Sequence, residues 1–188
     1  MIIYKILHNL IIVNTCYNQR MKTIVLTGMS GTGKSSTGNF LAKKLSVQYA
    51  DIDNLIVQNE KKSINKIFEQ NGEEYFRNLE AQIIKNFFKS ENFIISLGGG
   101  AFENEQTRNF LLNNATVIYL KTSPEIILNR LKFTTDRPLL NKNMNLERIK
   151  NLLNARKKNY ELAHFTIITD NKSIEQIGSE IIKCANLK

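Results

Sequence analysis

Short apolar runs rich in β-branched residues recur along the chain, with longer stretches between them. The runs cover residues 23–27, 47–50, 93–97, 116–120 and 165–169, and each has the length and composition of a buried strand. The stretches between the runs are too long for hairpins. The pattern therefore predicts five strands that alternate with helices, which is typical of a parallel sheet covered by helices on both faces.

The connecting stretches carry the period of about 3.6 residues that is typical of amphipathic helices. In residues 76–87, for example, the apolar side chains fall on one face. Two helix starts have recognisable capping sequences, because Ser123 stands before Pro124 and Ser173 is followed three residues later by Gln176. These signals predict where two of the helices begin.

Composition indicates one globular domain. The 188 residues are 42% hydrophobic and 23% charged, with two prolines and no repeat or low-complexity tract. The first twenty residues are apolar but are interrupted by Lys5, His8 and Asn9, whereas a membrane span needs about 20 apolar residues. No secretory cleavage signal follows them. We expect residues 1–20 to be an extension without an assigned role, residues 21–188 to form the domain, and the protein to be cytoplasmic.

The formal net charge of +9 raises the question of nucleic-acid binding. The lysines are scattered along the chain, however, and no basic run is interleaved with aromatic residues as in nucleic-acid modules. The two cysteines, Cys16 and Cys184, match no metal or redox spacing. We expect a monomer that acts on a small anionic molecule, without a nucleic-acid or membrane partner.

The sequence from Gly28 to Ser35 matches the phosphate-loop pattern G-x-x-x-x-G-K-[ST]. It follows a predicted strand and precedes a helical pattern over residues 36–46, which is the context that this pattern requires. Glycines let several backbone N–H groups point at one phosphate chain, and the helix N-terminus adds partial positive charge. Lys34 is expected to bridge the β- and γ-phosphates, and Ser35 to bind Mg²⁺. The chain is therefore predicted to bind a nucleoside triphosphate.

Two carboxylates, Asp51 and Asp53, directly follow the second predicted strand. If strand alternation continues, both point the same way at the carboxyl ends of the strands, where open α/β sheets bind ligands. One is then expected to hold Mg²⁺ through water near Ser35, and the other to accept a hydrogen bond from a substrate hydroxyl. An equally good interpretation is an Asp N-cap for a helix that begins near Asn54.

Glycines and arginines supply the remaining candidate chemistry. Three consecutive glycines end the third predicted strand, where a bare backbone lets a ligand approach, and a tight turn seldom needs three. Arg77 shares a helix face with Glu80, and Arg137 lies in a stretch without clear periodicity that is typical of a mobile lid. A surface ion pair explains any single arginine. Arg77, Arg137 and Arg156 together with a phosphate loop predict an anion-binding cleft.

Taken together, these motifs resemble those of shikimate kinase in order and spacing, over residues 22–186. They are the phosphate loop, Asp51-x-Asp53, Phe76-Arg77-x-x-Glu80, Gly98-Gly99-Gly100, Arg137-Pro138-Leu139-Leu140 and Ala155-Arg156-x-x-x-Tyr160. The resemblance implies an α/β fold of the three-layer P-loop NTPase type. Its five-stranded parallel sheet has the order 2-3-1-4-5 and helices on both sides, with a mobile lid. It also implies ATP-dependent phosphorylation of the 3-hydroxyl of shikimate, the fifth step towards chorismate and the aromatic amino acids.

The resemblance implies roles for individual residues as well. The ATP phosphates are expected at Gly31, Thr32, Gly33, Lys34, Ser35 and Ser36, with Arg137 closing on them and Arg130 nearer the adenine. Mg²⁺ is expected at Ser35, supported by Asp51 and Ser96. Shikimate is expected to contact Asp53, Phe76, Arg77, Glu80, Gly98, Gly99, Gly100 and Arg156. The catalytic residues implied are Lys34, Asp53 and Arg137.

A related kinase and a different class of protein, a nucleotide-dependent switch or binding module, predict different sequence features. A gluconate kinase of the same fold has no need for two arginines on a carboxylate beside three glycines. A guanine-specific switch has an Asn-Lys-x-Asp motif, which Asn171-Lys172-Ser173-Ile174 breaks. A catalytically inactive binding module usually loses Lys34 or Asp53, and both are present. The resemblance to shikimate kinase therefore explains more of the sequence than these alternatives.

Overall fold

A parallel sheet of five strands forms the middle layer of the computed structural model, which describes residues 23–88, 93–132 and 145–187. The strands follow the order β2-β3-β1-β4-β5, and every neighbouring pair is parallel. They are β1 (Ile24–Thr27), β2 (Gln48–Asp51), β3 (Phe93–Ser96), β4 (Thr116–Lys121) and β5 (Phe165–Ile168). All five predicted strands and the order 2-3-1-4-5 are confirmed, with each end within one residue of the prediction.

Helices connect the strands and cover both faces of the sheet. In the described ranges they are α1 (Lys34–Leu45), α2 (Ile52–Glu60), α3 (Ile64–Phe87), α4 (Glu105–Asn114), α5 (Pro124–Lys132), α6 (Leu146–Tyr160) and α7 (Ile174–Cys184). A short 3₁₀ turn, Ala101–Glu103, precedes α4. Both predicted starts are confirmed, because Pro124 is the first residue of α5 and Ser173 forms a capping box with Gln176.

The central strand β1 is buried on both faces. Ile24 and Leu26 pack on one side, in an apolar cluster with residues of α1 and α7. Val25 points to the other side, into a cluster that includes Phe76 of α3 and Tyr160 of α6. Because packing fixes this strand from both sides, the loop that leaves its carboxyl end starts from a rigid support.

The chain turns directly from β2 into α2, which contradicts one prediction. Asp51 is the last residue of β2, whereas Asp53 lies in the first turn of α2, so strand alternation does not continue through both carboxylates. The cause is local, because the Asp51 side chain accepts a hydrogen bond from the backbone N–H of Asn54 and caps the helix. The helix consequently begins at Ile52 rather than near Asn54.

Two predictions concern residues that the structure does not describe. The extension over residues 1–20 and the lid that contains Arg137 both lie outside the described residues. In the three ranges that are described, none of the helices combines the length and the apolar character needed to cross a bilayer.

Candidate active site

The phosphate loop joins β1 to α1 and depends on glycine at three points. Gly28, Gly31 and Gly33 have φ values of 139°, 85° and 93°, which residues with side chains rarely adopt. Gly33 is the N-cap of α1, so the helix begins two residues earlier than predicted. Lys34 and Ser35 therefore lie in the first turn, where backbone N–H groups without helical partners attract anions.

Two cationic side chains contact the backbone of this loop. The Lys34 side chain is only 8% exposed, and its Nζ donates to the carbonyl oxygens of Gly28 and Met29, both at 2.9 Å. Arg130 Nη1 donates to the carbonyl of Gly31 at 3.1 Å. The structure thus places Arg130 against the loop, and its contact with adenine stays a prediction.

The Asp51 carboxylate caps a helix and also contacts the phosphate loop, whereas its role at Mg²⁺ stays a prediction. Its Oδ1 accepts from the Asn54 N–H at 3.3 Å and caps α2. Its Oδ2 accepts from Ser35 Oγ at 2.7 Å and from the Tyr49 hydroxyl at 3.2 Å. One carboxylate therefore starts a helix with one oxygen and approaches the phosphate loop with the other.

Oxygen atoms of Ser35, Asp51 and Ser96 fit a magnesium site. Ser96 pairs with Asp51 in the sheet and is 1% exposed, and within the described ranges its hydroxyl has no hydrogen-bond partner. Mg²⁺ prefers oxygen ligands and usually keeps water and substrate phosphates among them. No cluster of three or more His, Cys, Asp and Glu in the described part of the chain could hold a metal alone. Nucleotide phosphates would therefore have to complete this site.

The three consecutive glycines form a floor without side chains at the end of β3. A Cβ at Gly98 would lie 2.5 Å from Asp53 Oδ1 and 2.9 Å from Glu80 Oε1. A Cβ at Gly100 would lie 2.6 Å from Arg77 Nη2. Neither Gly98 nor Gly100 has a positive φ, so the reason for glycine is space, because a Cβ would displace the side chains of Asp53, Glu80 or Arg77.

Arg77 and Glu80 form an ion pair at this floor, which confirms that they share a helix face. Arg77 Nη1 lies 2.7 Å from Glu80 Oε2, and the more exposed Glu73 lies 3.3 Å from Arg77 Nη2. They belong to the part of α3 that follows a break at Gly72, where φ is 81°. Burial lowers the pKa of Arg77, but Glu80 and Glu73 outweigh it and leave that pKa raised. Arg77 therefore remains charged.

Glu80 is a buried carboxyl with an uncommon pKa. It is 2% exposed, and burial raises its pKa from 4.5 to about 7, although Arg77 acts in the opposite direction. Its Oε1 faces Gly98 and has no hydrogen-bond partner among the residues that the structure describes. This buried oxygen therefore lies against the glycine floor.

The pKa of Glu80 predicts a pH-dependent difference in stability between the wild type and Glu80→Gln. The raised pKa means that the stabilisation from protonated Glu80 is complete below pH 4.5 and lost as the pH rises through about 7. Urea unfolding should show that the free energy of unfolding of the wild type, relative to that of Glu80→Gln, falls by about 2–3 kcal/mol from pH 5 to pH 8. A difference that does not change with pH would contradict the raised pKa.

Arg156 and Tyr160 meet the carbonyl of Gly99 from α6. Arg156 Nη1 donates to this oxygen at 2.9 Å, and the Tyr160 hydroxyl donates at 2.6 Å. Tyr160 is fully buried and its ring stacks on Tyr119. Tyr160 belongs to the same sequence motif as Arg156 but had no predicted role. Its position four residues after Arg156, hence on the same helix face, was the available signal.

A cleft of about 660 Å³ connects these groups. It brings together the eight predicted shikimate contacts Asp53, Phe76, Arg77, Glu80, Gly98, Gly99, Gly100 and Arg156, and it reaches Ser35 and Asp51 at the phosphate loop. Arg148 also lines it, a residue that sequence analysis missed. The other predicted phosphate contacts, Gly31, Thr32, Gly33, Lys34 and Ser36, lie on the loop and the first turn of α1. Carboxylate, guanidinium and phosphate-binding groups thus face one continuous space.

Comparison with known proteins gives one consistent result. The family model for shikimate kinase matches residues 30–186. Shikimate kinases of a Sulfurihydrogenibium species and of Persephonella marina are 43% and 42% identical, over 86% of this chain and 96% and 98% of theirs. Among solved structures, a shikimate kinase from Acinetobacter baumannii in complex with shikimate is 32% identical, with a TM-score of 0.81. That similarity covers 87% of this chain and 92% of the other.

Proposed function

Because the chain belongs to the shikimate kinase family, it is an enzyme that phosphorylates shikimate with ATP, and we propose that it does so in the cleft described above. The reaction gives shikimate 3-phosphate and ADP, the fifth step towards chorismate and the aromatic amino acids. The observation that carries the proposal is the convergence of Asp53, Arg77 and Arg156 on the glycine floor.

The carboxylate of shikimate is proposed to bind between Arg77 and Arg156. Both guanidinium groups line the cleft and are held by contacts to Glu80 and to the Gly99 carbonyl. Both of these contacts use an Nη1 atom, and Arg77 also donates to Glu73 through Nε and Nη2. Because a guanidinium has five N–H donors, each arginine keeps donors for a carboxylate. Because the two side chains are already held in place, binding loses less side-chain entropy.

The phosphates of ATP are proposed to bind at the phosphate loop and the first turn of α1. The ammonium of Lys34, now against the carbonyls of Gly28 and Met29, is close enough to exchange these for phosphate oxygens. Ser35, with Asp51 and Ser96 behind it, would hold Mg²⁺. When bound, this ion neutralises charge on the phosphate oxygens.

Asp53 is proposed to orient the 3-hydroxyl of shikimate and to accept its proton. It lies at the start of α2, 8% exposed, with Oδ1 directed at the glycine floor. Phosphoryl transfer asks a protein mainly for alignment and for stabilisation of charge, so direct transfer from ATP to shikimate needs no covalent enzyme intermediate.

The remaining properties are proposals that rest on the sequence and the family. We propose a monomeric, cytoplasmic enzyme with a domain over residues 21–188 and no nucleic-acid or membrane partner. Arg137 is proposed to close on the phosphates from a lid, and Arg130 to contact the adenine. Support for Arg130 is its position against the phosphate loop at Gly31.

Replacing Arg77 by alanine tests the proposed carboxylate site. We expect the KM for shikimate to rise roughly 30-fold or more, because losing one partner of a buried charged hydrogen bond costs about 2 kcal/mol or more. The kcat should change by less than about 3-fold, since the carboxylate is remote from the reacting hydroxyl. ADP release at varied shikimate and at varied ATP measures both constants.

Two further variants separate the effect of the Arg77 guanidinium on the KM for shikimate from the effects of Glu73 and Glu80. Glu73→Gln removes only the exposed partner of Arg77 and should leave the KM for shikimate nearly unchanged. The double variant Arg77→Ala with Glu80→Gln avoids an unpaired buried carboxylate. If it restored the wild-type KM, or if only the KM for ATP rose in Arg77→Ala, the assignment of Arg77 would be wrong.

A further inference from the structure

Tyr49 occupies a position at the proposed metal site that neither the phosphate loop nor the proposed mechanism explains. It lies in β2, two residues before Asp51, and is partly buried. Its ring packs against Gly38 of α1, where a Cβ would overlap the ring atoms Cε2 and Cδ2. The absence of a side chain at Gly38 therefore lets the Tyr49 ring lie directly on the helix backbone.

The Tyr49 hydroxyl reaches the oxygen atoms proposed to support Mg²⁺. It donates to Asp51 Oδ2 at 3.2 Å, and this same oxygen accepts from Ser35 Oγ at 2.7 Å. An ionised carboxylate only accepts hydrogen bonds, so the Tyr49 hydroxyl is the donor in this contact.

We propose that Tyr49 is a positioning residue for the metal of the ATP complex, acting through Asp51. The inference rests on the proposed function of Ser35 and Asp51. If Ser35 Oγ bound the cation, Asp51 Oδ2 would lose its shorter hydrogen bond but keep the one from Tyr49. The Asn54 N–H holds Oδ1 at the same time. Two donors from two elements thus hold the carboxylate plane in place.

A fixed carboxylate matters because Asp51 is expected to act on the cation through water. Outer hydrogen-bond partners orient the groups that contact a metal or its water ligands, and removing them weakens metal affinity. The ring of Tyr49 and its hydroxyl have separable functions, since packing on Gly38 needs only the ring. Phenylalanine at position 49 keeps the packing and removes the donor.

The test compares Tyr49→Phe with the wild-type full-length chain in the presence of ADP. Binding of Mn²⁺, a paramagnetic substitute for Mg²⁺, is measured by electron paramagnetic resonance. We expect its dissociation constant to rise roughly 3- to 10-fold, less than the 10- to 100-fold typical for partners of direct metal ligands. The Mg²⁺ concentration for half-maximal activity should rise similarly, while the KM for shikimate and the melting temperature stay unchanged.

Tyr75→Phe is the matched control, because it removes a hydroxyl that donates to the carboxylate of Glu60, and neither residue lines the cleft. It should leave Mn²⁺ binding unchanged. Unchanged Mn²⁺ affinity in Tyr49→Phe, or an equal loss of shikimate affinity, would overturn the inference. Ser35→Ala tests the proposed metal site separately. If it leaves Mn²⁺ affinity unchanged, the metal site and the inference both fail, whereas an effect of Ser35→Ala without one of Tyr49→Phe refutes only the inference.

Discussion

Replacing Lys34 by alanine is expected to lower kcat by about 10²–10³-fold, the cost typical of losing one fixed donor that stabilises charge in the transition state. Lys34 starts α1 with its side chain mostly buried, so its ammonium is held next to the phosphate loop rather than moving freely in solvent. The charge that develops on the transferred phosphoryl group would then lack a cation that is held at the loop. Steady-state ADP release with saturating shikimate and ATP measures the loss.

Lys43→Ala is the control for this variant. Lys43 lies in the last turn of the same helix and is exposed, so its removal changes the net charge equally but leaves the loop intact. Its kcat should stay near the wild-type value. A melting temperature for Lys34→Ala close to that of the wild type excludes unfolding as the cause. An unchanged kcat in Lys34→Ala would remove Lys34 from the catalytic groups.

The second large effect is expected from Asp53→Asn. Removing a general base typically costs about 10²–10⁴-fold in rate, and asparagine keeps the shape of the side chain without its ability to take a proton. We expect kcat to fall within this range, while the affinity for shikimate falls much less. Single-turnover kinetics together with equilibrium binding of shikimate separate the two quantities.

Glu60→Gln provides the comparison within α2. Glu60 ends the same helix and contacts Tyr75 rather than the cleft, so it should keep the wild-type kcat. A pure increase of the shikimate KM in Asp53→Asn, with kcat preserved, would assign Asp53 to binding alone. In that case the proton of the 3-hydroxyl would leave by another route.

The sheet was predictable because each strand is marked by a local run of apolar residues. Parallel strands buried on both faces leave such runs, as Val25 between Ile24 and Leu26 illustrates. These apolar runs do not indicate the order of the strands in the sheet. That order came from the resemblance carried by the motifs and is confirmed by the pairing of β1 with both β3 and β4.

The site was predictable where a motif fixes the local backbone and less so where packing decides. The alternation expected through Asp53 is wrong, because the Asp51 side chain ends the strand by capping a helix. The contact of Tyr49 with Asp51 depends on the tight approach of β2 to α1 at Gly38, which no spacing within one element encodes. The hydrogen bonds from Arg156 and Tyr160 to Gly99 likewise join segments far apart in the sequence.

The glycine floor has a consequence for inhibitors and for resistance to them. A compound that rests on the backbone of Gly98 and Gly100 contacts atoms that no point mutation can delete. Any larger residue at Gly98 would collide with Asp53, and any larger residue at Gly100 would collide with Arg77. A mutation that expels such a drug at these positions would therefore also disturb the groups proposed to hold the natural substrate, which leaves little scope for escape there.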